Sequence, residues 1–209
     1  HQVVYFHQID DPYSHLLVQA LERVQSSYDI DLELRIVPPP VDDAAPERAA
    51  LEDYSRRDAA AIASFYELQF DDPGSQPTVE ICQLAERALV ATSNKVAAAV
   101  EIGAALWAGD YQTLSKLPLV SDTLAAEERE TGRREREALG HYLGGMLYFA
   151  GEWYWGVDRL PYLEERLIQA GLQRSGHRQV AQFQSRPAFM LNPDQRRLTL
   201  EFYPSIRSP

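Results

Sequence analysis

Apolar residues follow two rhythms along this chain, and the places where the rhythm changes divide it. Residues 3–9, "VVYFHQI", are a dense β-branched and aromatic run of strand length. After it, Leu16, Leu17, Ala20, Leu21 and Val24 recur at helical spacing. A helix is therefore predicted from Pro12, with proline at its first position and Asp11 as its N-cap. Residues 31–38, "DLELRIVP", alternate with Leu32, Leu34 and Ile36 on one face and stop at three prolines. A strand, a helix and a second strand in that order predict a parallel pair with a right-handed crossover.

From Pro46 to about Leu139 the strand rhythm is absent. The chain there is rich in Ala, Leu, Glu and Arg at helical spacing, broken by "DDPGSQP" at 71–77, "AGD" at 108–110 and "LPLVSD" at 117–122. β character returns in "GMLYFAGEWYWG", residues 145–156, where Ala150 and Gly151 suit a hairpin turn. A helix follows from about Arg159 to Ala170, stopped by Gly171. The tail predicts a second hairpin around Asn192, Pro193 and Asp194. The order β-α-β, helices, β-β-α is that of an α/β thioredoxin fold with an inserted all-helical domain. The implied domains are 1–45 with 140–209, and 46–139 between them.

Composition narrows the chemistry. At 209 residues, 45% apolar and 24% charged, the chain can bury a core without help from metals or disulfides. A net charge of −11 argues against nucleic acid or an anionic membrane as partner. No run is long enough for a membrane span and no leader is visible, so a cytoplasmic location is expected. The basic cluster Arg133, Arg134 and Arg136 is interleaved with Glu130, Glu135 and Glu137 and reads as a solvated helix face. The one cysteine, Cys82, excludes a dithiol cycle within the sequence, and its apolar neighbours suggest a buried, inert thiol. The five histidines show no metal-ligand spacing, so no metal site is expected.

The residues then carry a resemblance. "FHQIDDPYSHL" is similar to the first strand and active-site turn of the DsbA-like thioredoxin-fold group, in the branch of 2-hydroxychromene-2-carboxylate isomerases and kappa-class glutathione transferases. "YSRRDAAAIASFYELQF" and "AAAVEIGAALWAGDYQTLSKLP" resemble its inserted helices, and "GGMLYFAGEWYWGVDRLPYLEERL" its hairpin, W-G-x-D-R motif and last helix. Together these cover most of residues 3–168; the tail after Gly171 has no counterpart. The resemblance places the reacting residue, a cysteine or a serine that bonds the glutathione sulfur, at Asp11. It places a cis-proline at Met146, and a contact to the γ-glutamyl group at Asp158. It thus marks Asp11 and Ser14 as catalytic positions, and Pro12, Tyr13, Met146, Trp155, Asp158 and Arg159 as binding positions for glutathione or an aromatic substrate. It also implies a homodimer.

At the two positions nearest the sulfur the chain departs from this pattern. A thiolate about 4 Å from an ionised Asp11 meets a repulsion of about 4 kcal/mol at an effective dielectric of about 20. The helix dipole favours keeping that carboxylate ionised. Ser14 has no base beside it, since His15 lies on another helix face. A cis bond before a non-proline costs about 3–4 kcal/mol, so Gly145–Met146 is expected to be trans, with the methionine closing or reshaping the thiol-binding edge. Asp11 also reads simply as an N-cap, Asp10 as a solvated turn residue, and Trp153 and Trp155 as core packing rather than a ligand platform. Asp158 reads equally as a helix cap. Three functions follow in order of expectation. The first is a binding or scaffold module without dithiol redox activity. The second is a glutathione-dependent isomerase or transferase with Ser14 or Tyr13 facing the sulfur. The third is a proton-transfer or hydrolytic enzyme using Asp11.

Overall fold

The computed structural model describes residues 1–44 and 46–177; the hairpin expected around Asn192 lies outside them. β1 (Gln2–Gln8) and β2 (Asp31–Val37) pair in parallel, Val3 opposite Leu32 and Tyr5 opposite Leu34. Between them runs α1 (Pro12–Ser27), whose periodic Leu16, Leu17 and Leu21 are fully buried. β3 (Met146–Phe149) and β4 (Glu152–Trp155) form the expected hairpin. Its turn residues, Ala150 and Gly151, have φ of 49° and 90°, as a two-residue turn matched to strand twist requires. β3 runs antiparallel to β1 with Met146 opposite Phe6, and the sheet order is β2-β1-β3-β4.

Between β2 and β3 come α2 (Arg48–Ala63), α3 (Val79–Val90), α4 (Lys95–Trp107), the short α5 (Tyr111–Leu114) and α6 (Asp122–Ala138). α3 to α6 start at Thr78, Asn94, Asp110 and Ser121, whose side chains each accept a backbone N–H of the first turn. α7 (Leu160–Gln169) follows β4 and is preceded by a 3₁₀ turn, Val157–Arg159. Asp158 sits in that turn and makes no capping bond, so the helix opens without it.

One sheet face, with Val3, Tyr5, Leu34 and Leu147, packs under α1 and α7, and the same buried cluster continues through Ala59, Leu89 and Leu106 of the inserted helices. The other face carries a smaller cluster, Val4, Phe6, Val37 and Met146, roofed by Leu139, Leu143 and Trp153. α6 crosses β2 on this side, where Arg35 pairs with Glu135 at 2.7 Å. Two members of the basic cluster on α6 behave as a solvated face: Arg133 pairs with Glu130 and Glu137, and Arg134 with Glu130. Arg136 does not. It is 2% exposed, donates to the Pro38 carbonyl at 3.2 Å, and is held below its usual pKa, at about 10, by burial. Its spacing from Gly132 puts it on the inward stripe of α6. No helix among the described residues is long and apolar enough to cross a membrane.

Candidate functional site

Asp11 caps α1. Its Oδ1 accepts the Tyr13 N–H at 3.2 Å, and its Oδ2 accepts the Ser14 N–H at 2.9 Å and the Ser14 hydroxyl at 2.7 Å. Proline at the next position fixes the geometry, because it pre-sets the helical φ and lacks a competing N–H. The cap does not keep the carboxyl strongly acidic, as the dipole argument expected. Burial pushes Asp11 up to about 6; the Ser14 and Tyr13 hydrogen bonds oppose this only in part, and Asp10 adds to it. No basic side chain among the described residues pairs with Asp11.

The residues beneath are fully committed. Ser14 is completely buried, and its Oγ accepts the Gln8 N–H at 3.3 Å while donating to Asp11. The Tyr5 hydroxyl donates to the Ser14 carbonyl at 2.7 Å and lies 3.0 Å from His7 Nδ1. A tyrosine has one hydroxyl proton, and the carbonyl takes it, so His7 is the donor through Nδ1–H. Burial pushes His7 down to about 3, which keeps it neutral. Neither Tyr5 nor His7 stood out in the sequence, because strand alternation merely placed them inward.

A cleft of about 630 Å³ opens beside this cap. Asp10, Asp11, Pro12 and Tyr13 supply one wall; Arg48, Glu52 and Tyr54 of α2 supply the opposite one. The buried Met146, the exposed Trp155 and Arg159 line it too. Sequence reading did not reach the α2 residues, whose relation to the turn is made only by folding. That relation is fixed by hydrogen bonds: the Tyr13 hydroxyl donates to Asp58 of α2 at 2.7 Å. Arg56, 5% exposed, binds Asp53, Asp72 and Gln76, and Gln76 donates to the Asp10 carbonyl at 3.1 Å.

Met146 is 2% exposed and packs with Phe6 and Val4, so its side chain lines the cleft without closing it. No peptide bond is cis among the described residues, so Gly145–Met146 is trans. Gly145 has φ of 64°, and a Cβ there would lie 3.2 Å from Asp11 Oδ2 and 3.4 Å from Ser14 Oγ; glycine lets the backbone back directly onto the cap. The tryptophans of β4 part company. Trp153 packs on Phe6 and Tyr148, as core packing predicts. Trp155 is 47% exposed and meets Tyr13 edge-on at 5.9 Å, so it belongs to the cleft instead. Asp158 lies outside the lining, exposed and 3.5 Å from Arg159, whose guanidinium stacks over Tyr162. Cys82, in the first turn of α3, is half-buried rather than fully buried as expected, and the solvent it does lose pushes its thiol up to about 12. No group of three acidic, histidine or cysteine side chains among the described residues is arranged to hold a metal ion.

No protein-family model matches this chain, and no curated protein does. Solved structures do. A 2-hydroxychromene-2-carboxylate isomerase aligns with a TM-score of 0.58 at 15% identity, covering 82% of this chain and 96% of the isomerase. The cytosolic disulfide reductase DsbM from Pseudomonas aeruginosa aligns with a TM-score of 0.49 at 13% identity, covering 81% of this chain and all of that one. At such identity the likeness is one of fold. With the sheet order and the β-α-β start, the likeness to the isomerase gives this chain a thioredoxin fold with helices inserted between β2 and β3.

Proposed function

We propose that this protein is a thioredoxin-fold binding module without dithiol redox activity, holding a small ring-bearing ligand in the cleft between the start of α1 and α2. One observation carries the reading: where sulfur chemistry would need a thiol or hydroxyl, a hydrogen-bonded carboxyl with no ion-pair partner among the described residues, Asp11, lines a cleft that the exposed Trp155 also lines. Above pH 6 that carboxyl is ionised and repels a thiolate. It favours an amine or hydroxyl instead, with the flat body of the ligand against Trp155. Benzylamine is a suitable probe. It is expected to raise the melting midpoint and perturb Trp155 fluorescence, and Trp155→Ala removes both responses. Millimolar glutathione is expected to leave the midpoint unchanged. A rise with glutathione, or tighter binding of benzoate than of benzylamine, overturns the proposal, since any ligand of the native state must stabilise it.

A second reading is favoured by the same carboxyl. A group titrating at about 6 is suited to moving protons near neutrality, and the structure with a TM-score of 0.58 is that of a 2-hydroxychromene-2-carboxylate isomerase. On this reading the chain is a glutathione-dependent isomerase in which Asp11 carries the proton. Turnover of 2-hydroxychromene-2-carboxylate that requires glutathione and is lost in Asp11→Asn would establish it; no turnover rejects it.

A further inference from the structure

Residues 139–145 join α6 to β3 and pass beside the Asp11 cleft, which His141, Tyr142, Leu143 and Gly144 all line. α6 ends in a left-handed turn. Gly140 holds φ of 90° and donates its N–H to the Glu137 carbonyl at 2.9 Å, while the His141 N–H donates to the Arg136 carbonyl at 3.1 Å. Trp153 Nε1 donates to the Leu139 carbonyl at 3.3 Å, and Leu139 and Leu143 pack on the buried Phe6 and Met146 cluster. At the other end Gly145 backs directly onto the cap. The loop is thus held at both ends, and His141 stands where the end of α6 puts it. Even fully extended, the chain from His141 to Gly145 spans at most about 14 Å, so one small molecule can reach both His141 and the capped turn.

The state of the imidazole follows from its neighbours. Nδ1 accepts the Leu143 N–H at 3.2 Å. A nitrogen that accepts an amide proton presents a lone pair, so the neutral ring carries its own proton on Nε2. Protonation would set a second N–H against the Leu143 amide, and burial together with Arg136 lowers the pKa of the ring, which keeps it a neutral donor. Nε2 has no hydrogen-bond partner among the described residues, and unlike His15 Nδ1, Trp107 Nε1 and Arg136 Nε it is not closed off from solvent. The ring stacks on that of Tyr142 at 5.5 Å and 16°, and lies 4.8 Å from that of Trp153. With Nδ1 turned into its own loop and its faces against two aromatic rings, this half-buried residue meets the cleft with its Nε2 edge. Asp10, Asp11 and Glu52 line the same cleft and oppose an anion, while Arg48 is already bonded to Asp42 and Arg159 faces Asp158. A neutral donor in that setting favours an uncharged acceptor over a carboxylate.

We propose that His141 is a specificity-determining residue of this cleft: its Nε2–H donates to a carbonyl or ester oxygen that the ligand carries at the far end of its ring from the amine. This rests on the cleft's taking an amine at Asp11, and the test separates the two. The intact chain is titrated by calorimetry with benzylamine, with methyl 4-(aminomethyl)benzoate, and with 4-propylbenzylamine, which has similar length but no oxygen. The ester is expected to bind about tenfold more tightly than the propyl compound, as one hydrogen bond to a waiting donor supplies. His141→Phe keeps a ring beside Tyr142 and Trp153 but no N–H, and is expected to remove that preference. Equal binding of the two compounds by the unaltered chain, or a preference for the ester that survives in His141→Phe, overturns the role of His141 and leaves the amine site standing. Absence of binding by all three, benzylamine included, overturns both. The comparison on the unaltered chain decides the matter even if His141→Phe fails to fold.

Discussion

At Asp11 two effects of one position compete. The helix N-terminus and three hydrogen bonds favour the carboxylate, while enclosure between Gly145, Pro12 and the cleft wall disfavours it; enclosure wins, and the group titrates at about 6 instead of 3.8. A carboxyl whose folded pKa is raised costs stability above that pKa and none below the unfolded value. The shift corresponds to about 3 kcal/mol at most once both states are ionised. Asparagine caps a helix as well as aspartate does and bears no charge. Asp11→Asn is therefore expected to raise the melting midpoint at pH 7.5, with the gain shrinking towards zero at pH 4. Thermal melts of the two proteins at both pH values check this; a loss of stability at pH 7.5 would show that the cap's charge outweighs its burial. The capping role itself was readable from Asp-Pro before an amphipathic run. The raised pKa was not, because it depends on Gly145, far along the chain, closing over the carboxyl.

Among the elements, those built on local signals came out close to expectation. β1, α1 and β2 follow from a β-branched run, a helical stripe with cap and proline, and an alternating run, each within a few residues of its signal. The β3–β4 turn was legible too, though its first residue is not ideal: Ala150 holds φ of 49° without the side-chain hydrogen bonding that lets asparagine tolerate that region. Ala150→Asn is expected to stabilise the protein by about 0.5–1 kcal/mol, read as a higher midpoint in urea with unchanged slope. Where the expectation missed, charge or aromaticity had been read without position. Arg136 lies inside α6's buried stripe because its place in the helical period, not its neighbours' charge, decides its direction. Trp155 stands at the end of a short strand where no element covers it.

For the molecule as a whole, two deeply buried histidines contribute to the response to acid. His7 and His15 are buried and neutral, with pKa values of about 3 and 4, against 6.5 when unfolded. A depressed histidine contributes stability that is complete above pH 6.5 and lost as pH falls, because the unfolded chain takes up protons that the folded one refuses. Asp11 acts in the opposite sense between about pH 6 and pH 4, where the folded state binds the extra proton. Together these three groups contribute about one proton to the slope in that window, or about 1.4 kcal/mol per pH unit. In Asp11→Asn it should approach two. Unfolding free energies at pH 6, 5 and 4 measure this directly, and equal slopes for the two proteins would contradict the opposed titrations. The cleft beside Asp11 also belongs to this scale, since it lies where the start of α1 meets α2.

The sequence by itself determined the order of elements, the cap at Asp11, the hairpin and the lack of a cysteine pair, since periodicity, turn chemistry and residue identity are local properties. Tertiary structure decided which polar groups lose water. It placed α2 across from the capped turn, turned Arg136 and the two histidines inward, and left Trp155 out. Solvation is set by what arrives from distant parts of the chain, and the chemistry of the cleft beside Asp11 depends on it.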